Sequence, residues 1–444
     1  MKFILASPTC CCPSLEERQP GLEGRNCDEP LYKNDFGAKG WLMIVISGLC
    51  YFFFAATVND GLNVIVGNFA GEHGLDYNKL LASATPAAWF GILGVVFWTA
   101  VIQKLGSRKV GTIALVLGGI SYGLYGIVSS VTGFFIVTAL VNFMAYGFCN
   151  TAAQVMIAHW FPTRKGLALG WSTMGTNLSS AVFIPILMLF VGLRGVNGSF
   201  LMVGAIMIVV AVVYALLVRD TPEEYGCTPD NGALTPEEIQ ANLKEIAEYK
   251  SPWTVSKLLT NKQVWLTSLS YGIYILVTVA LISQLIPRLT AGGWTQGKAT
   301  GMMTVAAVLG MVGSYVTGWL DQKIGTKRAS VLYGIWYLAA VLTCCIPASD
   351  LAMYLSVFFI GIGIGGIGNL LPSIIGNLFN RHDFARALGI INVISLIIRS
   401  FTFSILAFGL ERLGGFAGAY AIVAALNVIG IVLCLLIKDE PVKP

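Results

Sequence analysis

Along this chain, apolar runs of about twenty residues or more alternate with short polar stretches, and the alternation recurs twelve times. The runs cover 41–66, 80–103, 109–130, 133–159, 166–192, 198–219, 263–287, 299–320, 328–348, 351–378, 385–409 and 415–437. About 20 apolar residues in a helix cross the hydrocarbon core of a bilayer, so each run predicts one spanning helix. The pattern predicts an all-α integral membrane protein of twelve transmembrane helices. Its expected parts are a tail (1–38), a six-helix half (39–219), a central loop (220–262), a second six-helix half (263–437) and a short tail (438–444).

The two halves repeat one another at an offset of 219 residues. Thr85 to Lys109 lies over Thr304 to Arg328, so that Gly91 meets Gly310, Gly94 meets Gly313 and Gly106 meets Gly325. Gln103 and Lys104 meet Gln322 and Lys323; further on, Gly147 meets Gly366 and Asn150 meets Asn369. Ala168, Leu169 and Gly170 meet Ala387, Leu388 and Gly389. Small residues and loop cations recurring in register predict homologous, pseudo-symmetric halves, the usual build of secondary transporters.

Composition supports lipid as the solvent. Hydrophobic residues make up 56% and charged residues 11%, whereas soluble chains carry about 25% charge. Lys and Arg fall 22 on the side of the termini and 5 on the other, with Arg399 inside a span. That asymmetry predicts cytoplasmic termini and a cytoplasmic central loop, in what is expected to be the plasma membrane. The net charge of +5 is this topological bias, and no nucleic-acid partner is read into it. The first 38 residues hold no secretory signal, and Cys10, Cys11, Cys12 and Cys27 read as free thiols on the reducing side. Three histidines and no metal-ligand spacing give no metal site, and no cofactor motif is present. In the central loop, Thr235-Pro236-Glu237-Glu238 predicts the start of a short helix ending near Tyr249. Trp253, Val255, Leu258 and Leu259 fit a helix lying in the membrane interface before the seventh span.

The loops QKLGSRK (Gln103–Lys109) and QKIGTKR (Gln322–Arg328) join spans 2 and 3 and spans 8 and 9. Each offers a glycine turn and surface cations: Gly106 with Lys104 and Arg108, Gly325 with Lys323 and Lys327. Over nearly its whole length the chain resembles the major facilitator superfamily, and these loops resemble that family's Gly-x-x-x-Asp-x-x-Gly-Arg-Lys loop. The resemblance implies gates at these two loops. The family's Asp is Gln103 here in the first half and Gln322 in the second, with Asp321 one residue early, which puts a charge-based latch in question. Trp160 to Gly170 (WFPTRKGLALG), Asp220 to Asn231 (DTPEEYGCTPDN) and Ser251 to Trp265 (SPWTVSKLLTNKQVW) are similar to the oxalate/formate-antiporter and monocarboxylate-transporter branches.

Ionisable groups at membrane depth are costly, so they point to function. Arg399 lies about fourteen residues into span 11, in the apolar run IINVISLIIRSFTFSILAF. A cation at the bilayer centre costs about 2.5–3.5 kcal/mol on the insertion scale. It either bonds helix carbonyls or a neighbouring acid, or faces a central cavity to hold an anion; the oxalate/formate resemblance, which implies a cation in this helix, fits the second. Asp60, near the outer end of span 1, is either a wetted exit turn or a cavity residue able to carry a coupling proton. Trp89, Tyr146, Asn150, Asn177, Tyr274 and Asn369 are polar or aromatic mid-depth candidates for the substrate site, each also readable as a helix-packing residue. The run Gly361–Asn369 (GIGIGGIGN) is a close-packing surface rather than a phosphate loop, because it lies inside an apolar span.

These features predict a carrier of a small organic anion, a mono- or dicarboxylate, by antiport or proton symport. Its partners are the lipid bilayer and protons or a counter-anion. The alternatives are the same fold carrying a sugar phosphate, a drug or a vitamin, or a transporter-like sensor. No clustered acid, His or Cys constellation suggests an enzyme.

Overall fold

A computed structural model describes residues 36–232, 236–346, 349–438 and 440–443. Among these the secondary structure is helical, with no β-strand, and ten helical stretches are long and apolar enough to cross a membrane. Two helices are too long for one crossing: Tyr77–Gly123 has 47 residues and Lys165–Leu217 has 53. At 1.5 Å per residue they would run roughly 70 and 80 Å through a core about 30 Å thick. Each turns back at one glycine, Gly106 (φ 77°, ψ 170°) and Gly195 (φ 71°, ψ 177°). Glycine enters that positive-φ region without the Cβ clash other residues meet. Divided there, the described chain makes twelve crossings in two groups of six, as the hydrophobic pattern predicts.

Span 1 is Gly37–Phe54, a π turn at Ala55–Asn59 and then Asp60–His73. Spans 2 and 3 flank Gly106. Span 4 is Val131–Ala145, a π turn at Tyr146–Ala153 and Gln154–Trp160. Spans 5 and 6 flank Gly195. In the second half, spans 7, 8 and 9 are Lys262–Ser283, Gln296–Ile324 and Thr326–Cys345. Span 10 is Asp350–Ile364 and Ile367–Leu378, span 11 is Phe384–Ser400 and Thr402–Arg412, and span 12 is Phe416–Leu435. The central loop carries the helices Pro236–Glu248 and Val255–Thr260. The expected cap of the first, Thr235, lies outside the described residues, as do most of the tail and its four cysteines. Thr254 caps the second by accepting from the Lys257 N–H at 3.3 Å. Its Val255 and Leu259 are exposed while Leu258 and Trp253 are buried, the one-sided pattern of an interfacial helix.

The repeat also governs how the halves meet. A Cβ on Gly170 of span 5 would come within 3.1 Å of the Gly318 Cα of span 8. A Cβ on Gly389 of span 11 would come within 2.3 Å of the Thr99 methyl of span 2. Gly389 and Gly318 are the repeat mates of Gly170 and Thr99, so one contact is built twice around a pseudo-two-fold axis. With no side chain on one partner, backbones approach closely enough for dispersion to hold helices together where lipid offers no hydrophobic drive. A further approach, Gly318 against the Gly166 carbonyl, lies at the end that bears the 2–3 and 8–9 loops, here termed the loop end.

Candidate transport site and loop-end gate

Mid-depth is where the helices lose regularity. Phe54, the residue before the π turn of span 1, meets Tyr146, the first residue of the π turn of span 4, their rings edge-on at 5.3 Å. Span 10 breaks at Gly365–Gly366, the repeat mates of Tyr146 and Gly147, and span 11 breaks at Phe401. Single π turns and broken spans recur at functional sites, because they redirect side chains and free backbone groups. Neither π turn was legible in the sequence, which carries only residue types and no hydrogen-bond register.

Arg399 sits near the middle of the apolar stretch Phe384–Arg412, two residues before the break in span 11 at Phe401. It occupies the last turn of Phe384–Ser400, where the helix dipole favours a cation. Its Nη1 donates to the Tyr146 hydroxyl at 3.3 Å, across the seam between the halves. Tyr146 is held by Gly91 of span 2: a Cβ there would fall 2.4 Å from the phenol ring. Arg399 is half-buried, and among the described side chains it has no carboxylate partner. The structure thus joins two of the mid-depth candidates, one from each half.

The other candidates go elsewhere. Asn177 and Asn369 are buried in the seam between spans 5, 8 and 10. Asn177 Nδ2 donates to Ser314 Oγ at 3.1 Å, and Asn369 Nδ2 donates to the Ser314 carbonyl at 2.7 Å while its Oδ1 accepts from Thr173. The Asn177 amide and the Asn369 oxygen join the halves, while the Asn369 Nδ2 ties span 10 to span 8 within the second half. Tyr274 is fully buried within the second half, its ring against Tyr271 and Tyr333, and the structure does not bring it to Arg399. Trp89 is 61% exposed. Two residues, or about 200°, separate it from Gly91, which turns it away from Tyr146. Asn150 lies one turn from Tyr146 and accepts from Gln154 at 3.4 Å; Gln154 also donates to Tyr51 of span 1 at 3.1 Å. Asp60 opens the helix after the span 1 π turn, and its side chain lies outside the described part.

At the loop end, Gln103 Oε1 accepts two bonds from Arg386 of span 11, at 3.1 Å from Nε and 2.8 Å from Nη2. A neutral amide thus ties span 2 to span 11. In the second half, Gln322 and Lys323 are exposed, and Lys323 lies over the Trp319 ring at 4.5 Å. The buried acid is Asp321 instead. It accepts from Thr326 Oγ1 at 2.5 Å, and its carboxylate lies so close to Gly166 that a Cβ there would fall 2.0 Å from Oδ2. Gly166 belongs to the first turn of span 5, where unpaired N–H groups and the helix dipole favour an anion. The shifted motif thus leaves a buried carboxylate beside the start of span 5 in one half only, at Asp321.

Lys104 is exposed, whereas Arg108 is anchored, its Nε donating to the Ala215 carbonyl at 2.8 Å. The turn at Gly106 wraps the Asp220 carboxylate, which accepts from Ser107 Oγ and the Arg108 N–H, both at 2.7 Å. Gly325, at φ 86°, makes the matching turn, and Lys327 is half-buried beside it. Two contacts escaped the sequence reading because nothing local marks them. Asp230 of the central loop caps span 5, accepting from the Thr163 and Arg164 N–H groups at 3.0 Å; burial pushes its carboxyl up while those bonds pull it down. Arg381 of the 10–11 loop pairs with the buried Glu223 at 3.0 Å.

The sequence profile of the Major Facilitator Superfamily matches residues 41–401 and 293–444 of this chain. Among curated proteins, monocarboxylate transporter 13 of Rattus norvegicus is 23% identical over 81% of this chain and 80% of its own length. The oxalate:formate antiporter of Oxalobacter formigenes is 24% identical over 78% of each. Among solved structures, the proton:xylose symporter XylE aligns at a TM-score of 0.71 and 13% identity, covering 90% of this chain and 95% of its own. The fold and site define an integral membrane transporter. The chain belongs to the Major Facilitator Superfamily.

Proposed function

We propose that this protein is a secondary carrier of a small organic anion, a mono- or dicarboxylate, moved by alternating access of the two halves around Arg399. The observation that carries the reading is a guanidinium at mid-depth on the seam, bonded to a phenol of the opposite half and facing no described carboxylate. Arg presents a planar fork that binds a carboxylate through two parallel bonds, and Tyr146 offers a third polar contact. Two relatives whose names specify monocarboxylate and oxalate:formate transport support the same substrate class. Substrate would exchange its bonds for those of Arg399 and Tyr146, so loading the site alters the link between the halves.

The Lys/Arg asymmetry supports the loop end and both termini facing the cytoplasm, with the plasma membrane as the site of action. The structure is then the state closed to the cytoplasm. Driving force comes either from a counter-anion or from a proton carried by Asp60, and proton uptake during net transport in vesicles separates the two. Binding is tested by thermal shift of the purified protein against a panel of small carboxylates. One or more should raise the melting temperature of the wild type and leave Arg399→Gln unmoved. Equal shifts in both proteins would remove Arg399 from the site.

A further inference from the structure

The exposed face of span 8 is a single stripe: Val312, Val316, Trp319 and Lys323 recur at intervals of four, three and four residues. That spacing marks one side of a helix, and apolar side chains exposed there at membrane depth face lipid. In span 9, Arg328, Leu332, Ile335 and Leu342 make the same kind of stripe. Each stripe ends in a cation where it reaches the loop end, Lys323 on span 8 and Arg328 on span 9. The first half repeats the arrangement at the 219-residue offset. Lys104 ends the exposed stripe Leu93, Phe97 and Ala100 of span 2, and Lys109 ends Ile113, Leu117 and Ile120 of span 3. We propose that each of these two hairpins holds the head group of an anionic phospholipid between its pair of stripe-ending cations.

Charge complementarity identifies the occupant. Among the described residues the one ion pair is Arg381 with Glu223, so none of the four cations has a described carboxylate partner. Asp321, the acid of the 8–9 hairpin, is buried and turned to Gly166 of span 5. Asp220, the acid held by the 2–3 turn, is already engaged by Ser107 and the Arg108 N–H. Lys323 lies 4.5 Å over the ring of Trp319, one turn back toward the membrane. Helical side chains lean toward the N-terminus of their helix, which for the end of span 8 is the bilayer side. The ammonium is thereby held at the level of an interfacial tryptophan, close to the lipid phosphates. Arg328 adds a planar fork that suits phosphate oxygens. A soluble anion would meet the two cations but not the apolar stripes beneath them, along which the acyl chains of a lipid can lie.

A cation beside an anionic leaflet is worth about fivefold in affinity. The pair should therefore favour an anionic over a zwitterionic head group by at most roughly thirtyfold. Diffuse attraction by the leaflet acts on every cation at the loop end, whereas a site acts through this pair alone. The proposal does not depend on the substrate assignment, because none of its residues belongs to the Arg399 site.

The test is quenching of Trp319 fluorescence by brominated lipids in vesicles holding the full-length protein, with no substrate added. Emission from Trp319 is the difference between protein with all ten tryptophans and Trp319→Phe, taken in each background. Phosphatidylglycerol brominated near the head group should quench it more strongly than phosphatidylcholine carrying the same bromines at the same mole fraction. Lys323→Gln with Arg328→Gln should abolish that preference. Lys244→Gln with Lys250→Gln, at exposed cations of the central loop, should leave it intact. Equal quenching by the two lipids in the unaltered background overturns the proposal, and this arm needs no charge variant to fold. A preference that survives Lys323→Gln with Arg328→Gln also overturns it. So does a preference lowered as much by the central-loop pair, which would reduce the effect to diffuse attraction by the leaflet. Because no carboxylate substrate is present, failure here is distinguishable from failure of the thermal-shift screen.

Discussion

Adding one methyl group at Gly318 should spring the loop-end seam. A Cβ there would stand 2.6 Å from the Gly166 carbonyl oxygen and 2.9 Å from the Gly170 Cα, both backbone atoms of span 5. Ordinary contact begins at 3.4 Å, so spans 5 and 8 would have to part by about 0.8 Å. Overpacking of this kind costs about 1–3 kcal/mol. The gain in helix propensity from Gly to Ala is the same in both states and cancels, leaving the steric cost in the closed state alone. The closed-to-open ratio should therefore fall roughly 5- to 150-fold. Gly301 on the same helix has nothing within 4 Å of its Cβ position, which makes Gly301→Ala the control. The assay is alkylation of a cysteine placed at the seam-buried Thr173, in protein stripped of native cysteines, by an impermeant maleimide supplied at the loop side. Gly318→Ala should speed alkylation by one to two orders of magnitude, and Gly301→Ala should not. Folded Gly318→Ala protein that reacts at the parental rate would refute the reasoning.

Three further outcomes follow from the site and the gate. Arg399→Gln should abolish uptake with near-normal expression, and Arg399→Lys should keep partial activity at best because the fork is lost; vesicle uptake measures both. Arg386→Ala removes two bonds to Gln103 and should favour the open loop end by about 1 kcal/mol, read as about fivefold faster alkylation at Thr173→Cys. Asp321→Asn takes a charge from the N-terminus of span 5, an interaction worth up to about 2 kcal/mol when partly buried. It should open the same seam at least as strongly as Arg386→Ala, and a weaker effect would mean that Asp321 only braces Thr326.

The fold was legible because lipid imposes length and apolarity on every span, and because a 219-residue repeat survives in small residues that cannot change without separating backbones. Gly106 and Gly195 fall in the polar gaps between apolar runs, and there the helices turn back. Arg399 stood out for the same reason: a cation within an apolar run is conspicuous whatever its partner. Its pairing with Tyr146 needed coordinates, since the π turn that sets the tyrosine's direction leaves no trace in residue type. Asn177, Asn369 and Tyr274 look alike as mid-span polar residues, yet two bridge the seam and one lies inside a half, because spacing along a helix does not say which neighbour it faces. The approach of the Asp321 carboxylate to Gly166 was hidden by a one-residue shift of motif, which a helix end absorbs by presenting the carboxylate from the adjacent position.

The most direct test of the account is uptake of labelled small carboxylates into vesicles holding the purified protein, preloaded with unlabelled carboxylate or empty under a proton gradient. The account predicts saturable uptake of at least one mono- or dicarboxylate, driven by preloading or by the proton gradient, and lost in Arg399→Gln. Uptake of a neutral sugar or an organic cation in its place, or carboxylate uptake undiminished in Arg399→Gln, would contradict it.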